Sequence, residues 1–142
     1  MTKNIVYKEE IMIAIPVESN ADETMSTKLF GNAKFFALVD PSTRAHTIVP
    51  NEGCGNGIKT ANFLLENGAS SALYGFLGDG PFHVMVRGGM DVYWLGKETM
   101  PLSDAIETAL SESLVHVTPS NAKEYLDPGT NAGACECGCS HD

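Results

Sequence analysis

Short, unbroken apolar runs alternate along this chain with glycine- and asparagine-rich punctuation. After a polar leader, residues 1–10, the run Ile11-Met-Ile-Ala-Ile-Pro-Val17 is continuously apolar, as expected of a strand buried on both faces. Pro16 is expected to mark its end. Glu18 to Lys28 is polar and too long for a tight connection, which points to function or mobility. Phe35-Phe-Ala-Leu-Val39 reads as a second strand, Asp40-Pro-Ser-Thr43 is turn chemistry, and Ala45 to Val49 alternates like the returning strand of a hairpin.

Asn51-Glu-Gly-Cys-Gly-Asn-Gly57 is a glycine-dense loop. It opens a helix from about Ile58 to Glu66, with Ile58, Ala61 and Leu65 on one stripe and Asn67-Gly68 as the stop. Ser71 to Leu77 is another buried strand. Gly78-Asp-Gly-Pro81 follows, with Pro81 suited to the first turn of a short helix that Gly88-Gly89 ends. Met90 to Leu95 is the next strand, and Leu102, Ala105, Ile106, Ala109 and Leu110 fall on one face of an amphipathic helix. Beyond Leu114 the pattern fades through Pro119 and Asp127-Pro-Gly129. The order β-β-β-α-β-α-β-α, a hairpin followed by βα alternation, predicts an α/β fold with a mixed five-stranded sheet flanked by helices. One domain over 11–118 is expected, with 119–142 as a flexible cysteine-rich tail.

Composition narrows the function classes. The chain has 142 residues, 43% of them hydrophobic, and a net charge of −9; the pI is about 4.7. Such acidity disfavours nucleic acid or an anionic membrane surface as partner and suits a cationic protein. No apolar run approaches the ~20 residues that span a bilayer. The first run follows Glu9 and Glu10 rather than a basic segment, so it does not read as a signal peptide. A cytoplasmic, reducing location is therefore expected, where clustered cysteines are better metal ligands than disulfide partners.

Three of the four cysteines, Cys135, Cys137 and Cys139, alternate in the tail and are followed by His141. Thiolates and imidazole suit Zn, Cu(I) and iron–sulfur species. Alternate side chains of an extended strand stand ~6–7 Å apart on one face, too far for one tetrahedral ion. The tail must bend to bind one, which Gly133 and Gly138 allow, and binding would then order it. His141 is the natural fourth ligand and Cys54 its competitor. Cys54 lies between two glycines at a helix entrance, where backbone N–H groups favour anions and lower a thiol pKa. His46 and His116 read as ordinary structural or surface residues, whereas His83 sits beside the Gly78 loop. The glycine loops are not P-loops, since no Gly-Lys-Ser/Thr follows, and no catalytic triad stands out.

Five collinear segments carry a family resemblance: Ile13-Ala-Ile-Pro-Val17, Leu29-Phe-Gly-Asn-Ala-Lys-Phe-Phe-Ala-Leu-Val-Asp40, Gly53-Cys-Gly-Asn-Gly-Ile-Lys-Thr-Ala61, Gly75-Phe-Leu-Gly-Asp-Gly-Pro-Phe82 and Val92-Tyr-Trp-Leu-Gly96. In this order they resemble the dinitrogenase iron–molybdenum cofactor-binding family, which includes NifX-like proteins and the C-terminal domain of NifB-like proteins. The resemblance implies a ribonuclease H-like fold and a non-enzymatic role related to nitrogen fixation. That role is binding, carrying or delivering an iron–sulfur or molybdenum-containing cluster during cofactor biosynthesis, with cluster-donor or acceptor proteins as partners. It places the cofactor region at three loops: Ser26 and Gly31 in the first, Gly53, Cys54, Gly55 and Gly57 in the second, and Gly78 and Gly80 in the third. Leu29 and Asn32 stand where many members carry His and Arg. A ribonuclease H-like nuclease would need converging carboxylates, usually one inside the first strand, and Ile11 to Val17 holds none. The rival readings are a metal-storage or sensing module that binds Zn or Cu(I) through the tail, and a metal-free interaction domain.

Overall fold

The first apolar run becomes the spine of a six-stranded sheet. The computed structural model describes residues 12–126 except 22, 97 and 112. In chain order these form β1 (Ile13–Val17), β2 (Phe35–Val39), β3 (His46–Pro50), α1 (Gly57–Glu66), β4 (Ser71–Tyr74), α2 (Asp79–Arg87), β5 (Asp91–Trp94), α3 (Leu102–Leu110), β6 (Val115–Val117) and α4 (Ala122–Tyr125). The strands lie in the order β3-β2-β1-β4-β5-β6. β1 pairs antiparallel with β2 and parallel with β4; β4 and β5 are parallel, and β6 returns antiparallel to β5. This is a mixed α/β sheet of the Rossmann or ribonuclease H-like class.

Strand alternation divides the core into two layers. Ala14, Phe36, Leu38, Ala72, Tyr74 and Val92 face α1 and α2, where Leu64, Phe82 and Met85 complete the cluster. Ile15, Val17, Ala37, Val39 and Leu73 face α3, packing on Leu102, Ala105 and Ile106. At the β2–β3 turn, Asp40 Oδ1 accepts from the Ser42 N–H and hydroxyl at 2.9 and 2.8 Å. Those bonds hold the Asp40 carboxyl below its ordinary pKa.

The expected five-stranded order is corrected at its end: a sixth strand and a fourth helix follow α3. β6 is only Val-His-Val, too short to show a period, and its edge position makes it dependent on β5 for definition. α4 is held by the Tyr74 hydroxyl, which donates to the Tyr125 carbonyl at 2.6 Å, and by Tyr125 packing on Trp94 at 5.3 Å between ring centroids.

Pro16 does not end β1 either; the strand runs through it to Val17. The Pro16 carbonyl accepts from Thr27 N at 2.9 Å. In an antiparallel strand a residue's N–H points to the same side as its carbonyl, so the donor that proline lacks would have faced Thr27 and not β2. The β1–β4 ladder extends only over Ile13 and Ala14, which leaves that side of Pro16 free of a strand. β4 in turn stops at Tyr74, short of the expected Leu77, because the chain turns there to meet Lys28: Phe76 N donates to the Lys28 carbonyl at 2.8 Å.

Tyr74→Phe should lower stability by about 1 kcal/mol, the usual net worth of such a hydrogen bond. It should appear as a lower urea midpoint with an unchanged slope; an unchanged midpoint would mean that α4 adds nothing to the domain.

Candidate functional site

β1 and β4 are parallel neighbours whose connections leave in opposite directions, one towards β2 and the other through α2 to β5. A crevice outside the carboxyl ends of such a strand pair is where open α/β sheets take ligands. Segments 26–32, 51–57 and 75–81 meet there, and the absence of side chains lets them. Gly55 N donates to the Gly31 carbonyl at 2.9 Å. A Cβ on Gly31 would lie 3.0 Å from Gly57 Cα, and one on Gly57 would lie 2.9 Å from Pro81 Cγ. A Cβ on Gly80 would meet Ile58 Cδ1 at 3.2 Å.

A buried polar knot fixes the loops beneath this surface. Thr60 is fully buried and Asn51 nearly so. Asn51 Nδ2 donates to the Ala33 carbonyl at 2.9 Å and to Thr60 Oγ1 at 3.0 Å, while its Oδ1 accepts from Gly53 N at 2.9 Å. The Thr60 hydroxyl lies 3.0 Å from the Gly53 carbonyl and 3.5 Å from that of Gly31. Two side chains thus tie the first loop, the glycine loop and α1 together. Gly53 is pressed against α1, since a Cβ there would sit 2.5 Å from Lys59 C and Thr60 N.

The N-termini of α1 and α2 lie side by side at the crevice. Asn56 caps α1, its Oδ1 accepting from Lys59 N at 3.0 Å, whereas Gly78 starts α2 with no side-chain cap. The first-turn amides and the partial positive charge of each helix end favour an anion, at α2 against the opposing charge of Asp79 in its first turn. Cys54 is half-buried on the loop leading into α1, with its sulfur 3.7 Å from the Asn32 carbonyl oxygen. Cys54 is disulfide-bonded, so that sulfur has no proton to donate and would serve as a metal ligand only after reduction.

The structure therefore brings Gly31, Gly53, Cys54, Gly55, Gly57, Gly78 and Gly80 to one edge. Ser26 lies on the same first loop but is buried, its N–H donating to the Met100 carbonyl at 2.7 Å and its Oγ accepting from Met100 N at 3.1 Å. It anchors that loop to the segment before α3. His83 is exposed on α2, 3.3 Å from Asp79, with its ring edge-on to Phe82. Cys135, Cys137, Cys139 and His141 lie outside the described residues. Among the described residues no three His, Cys, Asp or Glu side chains are grouped to hold a metal ion, and no helix is long and apolar enough to cross a membrane. Asn51 and Thr60 escaped the sequence reading; an Asn before a glycine loop with a Thr one turn into the next helix is a faint signal.

Residues 12–112 match the family model described as dinitrogenase iron-molybdenum cofactor. The apo form of the orange protein from Desulfovibrio gigas is similar at 25% identity and TM-score 0.68, over 75% of this chain and 92% of that one. A Thermotoga protein provisionally assigned as NifB has the same fold at 22% identity and TM-score 0.63, over 74% of this chain and 91% of its own. No curated protein matches the chain.

Gly53→Ala should be strongly destabilising, about 3 kcal/mol, because backbone must move to admit the methyl group. Gly78→Ser, where the nearest foreign atom to a Cβ is 3.8 Å away and a capping hydroxyl is gained, should stay within about 0.5 kcal/mol of the parent. Equal denaturation midpoints for the two variants would refute the tight-loop account. Thr60→Val should cost about 1–3 kcal/mol by leaving Asn51 and the Gly53 carbonyl short of partners, read in the same experiment.

Proposed function

Because the chain belongs to the dinitrogenase iron–molybdenum cofactor family, we propose that it binds and carries an iron–sulfur or molybdenum-containing cluster during cofactor biosynthesis, at the glycine-loop crevice. The observation that supports this most is the convergence of two helix N-termini and one cysteine at the switch between β1 and β4. Metal–sulfur clusters are commonly anionic and sulfide-rich, and backbone N–H groups directed at cluster sulfur stabilise the bound charge. A surface made of glycine amides lets such a body approach the main chain closely.

In this reading the first-turn amides of α1 and α2, those of Gly57 and Gly80 among them, hold the cargo by charge and hydrogen bonding, while the Gly53 and Gly55 amides are spent on Asn51 Oδ1 and the Gly31 carbonyl in shaping the loop, and reduced Cys54 supplies a metal–sulfur bond. The role is carriage rather than catalysis. A site dominated by hydrogen bonds favours a cargo that arrives assembled and leaves intact. The protein's acidity suits exchange with a cationic donor or acceptor protein.

Anaerobic incubation of the reduced chain with iron, sulfide and molybdate should give a visible chromophore that stays with the protein through gel filtration. Cys54→Ala should retain less than half of the metal. If the full chain retains neither iron nor molybdenum, the cluster reading is wrong.

A further inference from the structure

We propose that a cavity on the α3 face of the sheet is a second binding site, and that it takes a flat aromatic ring carrying a positively charged amine. The cavity lies at the amino ends of β1 and β4, on the face turned away from α1 and α2. It is therefore separate from the glycine-loop crevice and does not depend on what the crevice carries.

The space arises because one short helix covers a broad sheet. α3 buries Leu102, Ala105 and Ile106, all in its first half. Its second half stands off from the strands, and Ala109 and Leu110 are only partly buried. Beneath them lies a cavity of about 450 Å³, a size usual for small-molecule sites. Ile13 and Leu73 form its apolar floor, with Ala109, Leu110 and Leu114 over them.

The wall formed by Pro41 is fixed by local bonds. Pro41 belongs to the β2–β3 turn, in which Arg44 takes a left-handed conformation with φ 68° and donates its N–H to the Asp40 carbonyl at 2.7 Å. The Arg44 guanidinium contacts the Glu107 carboxylate on α3, which joins the turn to the helix. The cavity is thus formed before any ligand arrives.

Its remaining lining is aromatic and polar, beside an acidic group. Tyr93 and His116 face each other across β5 and β6, and their rings stack with centroids 5.0 Å apart at 29°. Both line the cavity and offer a flat π surface to a third ring. Asp91 shares the sheet face of Tyr93 by strand alternation, and its Oδ1 lies 3.5 Å from His116 Nε2, which sets a carboxylate beside the stack. Ser71, opposite Asp91 in the parallel ladder, adds a hydroxyl. α3 ends over the same space with no basic residue in its last turn, so nothing there offsets the partial negative charge of the helix end. Arg44, the cation of the adjoining turn, is already paired with Glu107. The carboxylate, the helix end and the net charge of −9 all favour a cation over an anion, and an aromatic face adds to the binding of a cation.

The test uses three probes that share one ring: tryptamine, a cation; indole, which is neutral; and indole-3-acetate, an anion. Each is titrated into the full ¹⁵N-labelled chain. With tryptamine the amides of Ser71, Leu73, Tyr93 and His116 should shift, while those of Gly53, Gly55 and Gly57 stay in place. Tryptamine should bind more tightly than indole and about tenfold more tightly than indole-3-acetate. Asp91→Asn should weaken tryptamine about fivefold, the upper worth of an exposed ion pair, and leave indole unchanged. Ala109→Phe should fill the cavity and remove the binding of both. Asp91 is exposed, so its variant decides the matter even where the larger substitution disturbs folding. Equal affinity for the three probes, or tryptamine binding unchanged in Asp91→Asn, would overturn the assignment of a cationic ligand. Shifts confined to the glycine-loop amides, or none at the cavity, would overturn the site itself.

Discussion

The Asn51–Thr60 pair is the constraint on which the site depends. A glycine-rich loop has the largest backbone entropy to lose on folding, and Gly53-Cys-Gly-Asn-Gly57 has little apolar side chain to set against that loss. The Asn51 amide and the Thr60 hydroxyl answer it from beneath, satisfying the Ala33 and Gly53 carbonyls and the Gly53 N–H at once. Both side chains are withdrawn from water, where an unmade hydrogen bond is costly, so the loop has one arrangement in which every partner is met. A surface of backbone donors is useful only if it is held still, and this knot holds it.

Above the knot, the division between scaffold and site follows the sheet. Its two apolar layers are ordinary cores, with α1 and α2 on one side and α3 on the other. The proposed cargo site lies on the edge where β1 and β4 end and where α1 and α2 begin. The helices therefore do two jobs with different parts: their apolar stripes close the core while their first turns provide charge at the crevice. Few covalent ligands and many dipoles suit a carrier, which has to release what it holds.

Much of this architecture was legible in the sequence because burial writes a simple code. Continuous apolar runs announced β1, β2 and β4, the Leu102 to Leu110 stripe announced α3, and the glycines around Cys54 marked the loop over which the sheet switches. The failures share a cause: they were settled by contacts distant in sequence. Val115 to Val117 is a strand because β5 offers an edge, and Ala122 to Tyr125 is a helix docked by a tyrosine 51 residues away. Pro16 remains inside β1 because its missing donor faces a loop. Asn51 and Thr60 look like any loop Asn and helix Thr until the fold buries them together.

The proline in β1 also shapes the molecule on a larger scale. With β1 and β4 laddered only at Ile13 and Ala14, the sheet consists of two three-stranded halves joined at one end. Towards the other end, residues 27–28 are inserted between the halves like a wedge, Thr27 bonded to Pro16 on one side and Lys28 to Phe76 on the other. The seam between the halves is thus closed by a single strand of backbone rather than by side chains, and the glycine loops gather at the end where that wedge enters.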